Sequence, residues 1–292
     1  MALVSMAPML RHARRNGYGI AAYNMIDYNS AASIVAGASD LQAPVIIQVS
    51  VKTVKHWGAR PIGAWVRMLA DDAPVPVALH LDHCTDIEVI KQCIEAGWTT
   101  VMFDGSSLPF AENLARSKEA YEVSAAAGVG LEAEIGAIGG VEDDKVVNED
   151  ESRLANFDEC VEFCREMPDL AVFAPAIGTA HGFYKGEPKI AYDLLKRITD
   201  VIDIPIALHG GTGLTDEQFH RCIALGCGKV NISTMHKRLF IDGFTKLRED
   251  KPKLAEPLPF ITAQHDAMKA DVMNCIRIFG SEGRADEAAH AA

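Results

Sequence analysis

Residues 75–97 read VPVALHLDHCTDIEVIKQCIEAG, and the fold is legible from this stretch outward. Val75–Cys84 is a near-continuous apolar run of strand length, the pattern of a strand covered on both faces. Thr85-Asp-Ile-Glu88 then resembles a capping box. Ile87, Ile90 and Ile94 follow at helical spacing, and Gly97 supplies the stop. The unit is strand then helix, with Asp82 and His83 left at the strand's carboxyl end.

The unit recurs. Strand-like runs occupy Gly17–Met25, Pro44–Ser50, Thr99–Ser106, Gly128–Gly136, Leu170–Gly178, Pro205–Gly211 and Lys229–Thr234. Helical patterns fall at Ser30–Asp40, Pro61–Ala70, Pro109–Ala127, Phe157–Glu166, Ala191–Thr199 and Glu256–Phe279, and Thr215-Asp-Glu-Gln218 is a second capping box. Eight such repeats predict a (β/α)8 barrel, the TIM-barrel class of α/β fold. A doubly wound sheet is the rival, but the turn after its first strand should be Gly-rich, and here it reads Tyr23-Asn-Met-Ile-Asp27. No linker divides the chain. One domain is expected over residues 1–280, with a flexible tail at 281–292.

The 292 residues carry 28 basic and 40 acidic side chains, a net charge of −12. That balance excludes a nucleic-acid scaffold, which needs a basic face. The apolar runs are far shorter than the ~20 residues of a bilayer crossing, so no membrane or nucleic-acid partner is expected. Seven scattered cysteines without a CxxC fit free thiols in a reducing cytoplasm. The opening MALVSMAPMLRHARR places basic after apolar residues, the wrong order for a secretory signal.

Polar residues gather where the strands end: Asn24; Gln48 and Ser50; Asp82 and His83; Asp104 and Ser106; Glu132 and Glu134; His181; His209; Asn231 and Thr234. In a barrel these ends converge on one mouth. His83, His181 and His209 would meet only on closure, and three imidazoles around a divalent ion are a catalytic zinc arrangement. His80, earlier on its strand, reads as structural. Asp82 is the leading proton-transfer candidate, with a histidine-orienting role as the alternative. Strict pleating sends Asp82 and His83 to opposite faces, so both reach one site only if the strand breaks near Asp82. Asp104 and Glu134 read either as further metal ligands or as paired interior groups. His209-Gly-Gly-Thr-Gly213 and Asn231-Ile-Ser-Thr234 suit phosphate, which barrels often bind through loop N–H groups in this quarter. Thr212 and Thr234 add hydroxyls, and Lys185 a positive charge. Gly139-Gly-Val-Glu-Asp-Asp144 resembles a lid whose hinge glycines let Glu142 swing in, although the residues alone slightly favour a solvated acidic loop.

Six segments together resemble the class II, metal-dependent ketose-bisphosphate aldolases. They are ALHLDHC (78–84), MFDGSSLPFAEN (102–113), LEAEIGAIGG (131–140), AIGTAHGFYKG (176–186), LHGGTG (208–213) and KVNIST (229–234). The resemblance implies Zn²⁺ on His83, His181 and His209, with Asp82 as acid/base and Glu142 as the loop carboxylate. It implies a pocket for the phosphate and enediolate of dihydroxyacetone phosphate at Gly182, Gly210, Gly211, Thr212, Asn231, Ser233 and Thr234. Asp104 and Glu134 match positions that hold the metal in an alternative place. Homodimers or homotetramers are common in the family, and some members take a monovalent cation. Two departures stand out. Position 233, usually Asp or Ala, is Ser, and a DPRKY-like stretch whose Arg meets a distal phosphate is replaced by Glu249-Asp-Lys-Pro-Lys-Leu254. Lys251, Lys253 and Arg277 are the substitutes to consider.

The expected reaction is aldol cleavage of a phosphorylated ketose to dihydroxyacetone phosphate and an aldehyde. The runner-up substrate is a ketose 1-phosphate with a neutral, carboxylate or sulfonate far end. Asn24, Gln48 and Ser50 are further candidates for substrate contact. A metal-dependent hydrolase would commonly carry an HxH pair on strand one, where Tyr23 and Asn24 stand instead. A non-catalytic sugar-phosphate binder would not need Asp82.

Overall fold

The computed structural model describes residues 3–142, 145–147, 153–184 and 186–291. Its strands are β1 (Ile20–Asn24), β2 (Val45–Ser50), β3 (Val77–Cys84), β4 (Thr100–Phe103), β5 (Gly130–Ile135), β6 (Gly139–Glu142), β7 (Lys145–Val147), β8 (Val172–Pro175), β9 (Ala180–His181), β10 (Ile206–Leu208) and β11 (Cys227–Ile232). Eight of them close a parallel barrel in the order β1-β11-β10-β8-β5-β4-β3-β2, while β7-β6-β9 form a separate small sheet. The chain is a TIM barrel. Among the described residues no helix is long and apolar enough to cross a membrane, and all seven cysteines are free and buried.

Why the strands read as unbroken apolar runs becomes clear from the two sides of the barrel wall. Outward positions (Ala21, Tyr23, Val45, Ile47, Val77, Leu79, Leu81) pack beneath the helices. Inward positions are layered. At the amino end Ala22, Ile46, Ala78, Ala174 and Ala207 pack against Met6, Met9 and Leu10. These three come from a helix, Met6–Asn16, which plugs that end and which no strand–helix repeat announces. The next inward positions are polar and buried: His80, Glu132 and Lys229, then Asn24, Gln48 and Asp82. The lumen is thus a packed core of side-chain layers, apolar at the amino end and polar above it.

Local signals were mostly sound, with three differences. The Thr215–Gln218 capping box forms, but the helix after β3 is capped by Asp86, which accepts from the Glu88 N–H, and spans Ile87–Glu95. Thr85 therefore lies one residue before the cap. The segment after Gly280, expected to be loose, forms the helix Ala285–Ala291 with Ala285 and Ala288 buried. Gly283 and Ala285 donate backbone bonds to Leu41 and Gln42. Its small alanines carry too weak an apolar signal to be read as a docked helix. A third helix, Thr234–Asp250, follows β11 where no helix was expected.

Helix Leu258–Ile278 is fixed to β1 by Tyr23, whose hydroxyl donates to the Asp271 backbone oxygen (3.2 Å) and lies 3.3 Å from Oδ2. Burial raises the Asp271 carboxyl to about 6 against the Tyr23 bond. The folded chain thus holds this proton between pH ~4 and 6 when the unfolded chain has released it, and stability falls across that window. Asp271→Asn should therefore gain about 1–3 kcal/mol at pH 7–8 and nothing near pH 4. Urea midpoints measured at both pH values check this; a pH-independent difference contradicts it.

Candidate active site and metal centre

The break anticipated near Asp82 is present. On β3 Leu81 pairs with Val101, yet the next pair is Cys84 with Phe103, so one extra residue bulges out. His83 takes it up with φ +46°, a left-handed conformation that costs a non-glycine residue on the order of 1–3 kcal/mol. The bulge lets adjacent residues serve one mouth. It is held by a contact of the His83 N–H with the Met102 sulfur (3.4 Å) and by Asp104 Oδ2, 2.9 Å from His83 Nδ1. Asp104 is itself fixed, its Oδ1 accepting from the Ser106 N–H and hydroxyl at 3.0 and 2.6 Å.

Barrel closure brings the three imidazoles together, with ring centroids 4.7 Å apart for His83–His209, 5.0 Å for His83–His181 and 5.9 Å for His181–His209. One ligand atom from each lies within 4.8 Å of the others. His209 Nε2 sits 2.8 Å from Glu132 Oε1, while its Nδ1 is 2.9 Å from His83 Nε2. A carboxylate accepts only, so Glu132 requires the proton on His209 Nε2 and Asp104 requires the proton on His83 Nδ1. The two nitrogens left facing each other are then lone pairs, and a shared cation relieves that opposition. Burial lowers the His209 imidazole to about 4, outweighing the raising effect of Glu132; a neutral ring is the ligating form. The donor set therefore fits a divalent metal such as zinc. Glu134 Oε2 lies 3.9 Å from His83 Nδ1. His83, Asp104 and Glu134 form a second group able to hold a cation.

Beneath the histidines is an element that sequence reasoning left out. Glu132 Oε2 lies 2.8 Å from Lys229 Nζ and 3.1 Å from His80 Nε2, with all three side chains fully buried. Burial alone would raise the Glu132 carboxyl, but Lys229, His209 and His80 hold it well below the usual carboxylate range. Burial and the facing Lys229 charge push the His80 imidazole down. A lysine inside an otherwise apolar strand was the available signal, because a buried cation requires an anion beside it.

The glycine-rich segments meet in one small pocket, where Gly182, Gly210, Gly211 and Thr212 face Asn231, Ser233 and Thr234 beside His181. Gly210 adopts φ +66°, and a Cβ there would lie 2.5 Å from the Ala180 oxygen. Asn231 Oδ1 and Ser233 Oγ are buried without hydrogen-bond partners among the described residues. Helix Thr234–Asp250 begins at the pocket, so its N-terminal N–H groups add to the anion-binding character. Tyr184 ties the pocket loops together, accepting from the Ala180 N–H (2.9 Å) and donating to the Gly210 oxygen (2.7 Å).

Four further candidates, Ser50, Asn24, Gln48 and Glu142, do not line that pocket. Ser50 pairs with Asp82 in register, but its hydroxyl caps helix Val51–Trp57 by accepting from the Thr53 N–H. Asn24 and Gln48 are buried beside Asp82. Glu142 ends β6, which pairs in parallel with β9 at Gly140–His181 and antiparallel with β7. The expected lid thus includes a hairpin joined to a metal-ligand candidate. Lys185 lies outside the described residues, as does the side chain of Glu142. Arg277 is placed at the other end of the barrel, two residues before Phe279, whose oxygen accepts from Gly19 just ahead of β1. It pairs loosely with Glu282 at 3.7 Å, which removes it from the distal-phosphate candidates within this chain.

The chain's similarities agree with this geometry. A family model described as Fructose-bisphosphate aldolase class-II matches residues 4–284. The chain is 39% identical over 288 residues to a fructose-bisphosphate aldolase of Geobacillus stearothermophilus, covering 98% of this chain and 99% of the relative. It is 35% identical over 285 residues to a sulfofructosephosphate aldolase of Alkalicoccus urumqiensis, again covering 98% and 99%. A crystal structure of a fructose-1,6-bisphosphate aldolase candidate from Coccidioides immitis superposes with a TM-score of 0.87 at 28% identity, covering 96% of this chain and 97% of that one.

Removing the buried cation tests how the centre is supported. Lys229→Met should destabilise the protein by about 3–5 kcal/mol, the usual cost of leaving one charge of a buried pair alone. Zinc affinity should fall about 10–100-fold as Glu132 loses its fixed orientation. Urea denaturation and chelator competition measure the two effects; unchanged affinity contradicts the support assigned to Glu132.

Proposed function

The chain belongs to the class II fructose-bisphosphate aldolase family, and from that premise we propose a divalent-metal-dependent cleavage of a phosphorylated ketose between C3 and C4. The products are dihydroxyacetone phosphate and an aldehyde, and the reaction is reversible. The substrate is fructose 1,6-bisphosphate or a close relative. The observation that carries this reading is the 2.9 Å approach of His83 Nε2 to His209 Nδ1, each ring held by a carboxylate on its other nitrogen.

Zn²⁺ on His83, His181 and His209 supplies, when bound, a Lewis acid for the negative charge that develops on the ketose oxygens as the carbon–carbon bond breaks. Asp82 takes the C4 hydroxyl proton in cleavage and returns it in condensation. Its Oδ1 is buried and has no hydrogen-bond partner among the described residues, which suits that exchange. Glu142 delivers the proton to C3 from the β6 hairpin. The phosphate of the three-carbon half occupies the pocket of Gly182, Gly210, Gly211, Thr212, Ser233 and Thr234, with Asn231 close to the developing enediolate. Lys185 adds positive charge to that side, and Asp104 with Glu134 offers the cation an alternative seat on His83. A Schiff-base route would need a lysine at the carboxyl end of a strand, whereas Lys229 lies early in β11 and is fully buried against Glu132. A cytoplasmic homodimer or homotetramer in carbohydrate metabolism completes the proposal.

The runner-up, a ketose 1-phosphate with a carboxylate, sulfonate or neutral far end, draws support from two observations. Arg277 is turned away from the mouth, and one 35%-identical relative is a sulfofructosephosphate aldolase. A panel of ketose mono- and bisphosphates scored by dihydroxyacetone phosphate release separates the two. EDTA should abolish release and added Zn²⁺ restore it, while borohydride with substrate should leave the enzyme active. Inactivation by borohydride with indifference to EDTA contradicts the proposal.

A further inference from the structure

Asn24 and Gln48 end or nearly end neighbouring strands and pair with each other in the β1–β2 register. Both are buried, at 1% and 0% exposure, beside Asp82 at 1%. Asn24 Nδ2 donates to Asp82 Oδ2 at 2.9 Å. Gln48 Nε2 donates to Asn24 Oδ1 at 2.7 Å and approaches Asp82 Oδ2 at 3.3 Å. The amide orientations are dictated by the chemistry. An ionised carboxylate only accepts, so Asn24 must present its nitrogen to Asp82, which turns its oxygen to Gln48 and demands the Gln48 nitrogen there. Both hydrogens of Gln48 Nε2 then point at protein acceptors. Gln48 has no donor left for a ligand; its Oε1 has no hydrogen-bond partner among the described residues, and Asn24 Nδ2 keeps one N–H beyond its bond to Asp82.

We propose that Asn24 and Gln48 are positioning residues that act through Asp82. Together they pin Oδ2 and so fix the plane of the carboxylate, leaving Oδ1 as the one oxygen presented to the reacting hydroxyl. Residue 82 needs such a clamp because it immediately precedes the left-handed residue of the β3 bulge. The pleat that normally sets a side chain's direction ends there. The inference rests on the reading of Asp82 as the group that exchanges the C4 hydroxyl proton.

The test is a double-mutant cycle in the zinc-loaded full chain with Gln48→Met, similar in volume but without donors, in the parent and Asp82→Ala backgrounds. General acid–base groups contribute about 10²–10⁴-fold, so loss of orientation should lower kcat for cleavage about 10–100-fold with KM within about twofold. In the Asp82→Ala background the same substitution should change the rate less than about twofold. A second readout follows exchange of the C3 hydrogen of dihydroxyacetone phosphate with D₂O, which involves no C4 hydroxyl; it should stay within about twofold of the parent rate in Gln48→Met. Equal losses in both backgrounds, a raised KM with kcat kept, or exchange falling in step with cleavage each overturn the proposal. Asn24→Ala carries the same cycle if Gln48→Met fails to fold, with the same outcomes read the same way. Full cleavage activity in Asp82→Ala would instead sink the Asp82 reading on which the inference stands.

Discussion

Two imidazole nitrogens face each other at 2.9 Å, and the design of the barrel's mouth follows from that contact. Neither ring is free to turn away, because Asp104 holds the far nitrogen of His83 and Glu132 the far nitrogen of His209. Each carboxylate fixes a tautomer as well as an orientation. A carboxylate-clamped pair of lone pairs is an unfavourable arrangement for a bare protein and a favourable one for a protein that binds a cation. The fold reaches it at a further cost, the left-handed His83, which is the strain expected where position matters more than local comfort.

The lumen beneath supports this mouth in layers. Alanines and the Met6–Asn16 helix close the amino end with apolar contacts. Above them Glu132 and Lys229 sit fully buried as an ion pair, an arrangement that stabilises little by itself once desolvation is counted. Its worth lies in direction. Lys229 and His80 both engage Oε2, so Oε1 is committed to His209. Asn24 and Gln48 stand one layer higher and do for Asp82 what Lys229 does for Glu132. Polar groups in this barrel are thus arranged as successive supports, each aiming the next toward the reacting end.

Much of this was legible in the sequence because both barrel faces leave a trace. Apolar runs marked the strands, and the chemistry collected at their carboxyl ends. Even the conflict between Asp82 and His83 was visible as an arithmetic impossibility for a regular strand, which the bulge resolves. What escaped was chiefly what depends on partners distant in sequence. Glu132 and Lys229 are nearly a hundred residues apart and become one element only on closure. Met6–Asn16 belongs to no strand–helix repeat, and Ala285–Ala291 docks through alanines that give almost no hydrophobic contrast. Conversely, Asn24 and Gln48 were correctly noticed as polar strand ends. Their amide nitrogens, whose direction is invisible in the sequence, point to Asp82.

The central claim is that His83, His181 and His209 share one metal ion. X-ray absorption at the zinc edge of the purified, zinc-loaded protein addresses it directly. The account predicts three nitrogen scatterers at ~2.0–2.1 Å with the outer-shell pattern of imidazole. A spectrum of oxygen or sulfur ligands without imidazole, or a protein that retains no zinc after buffer exchange, would contradict it.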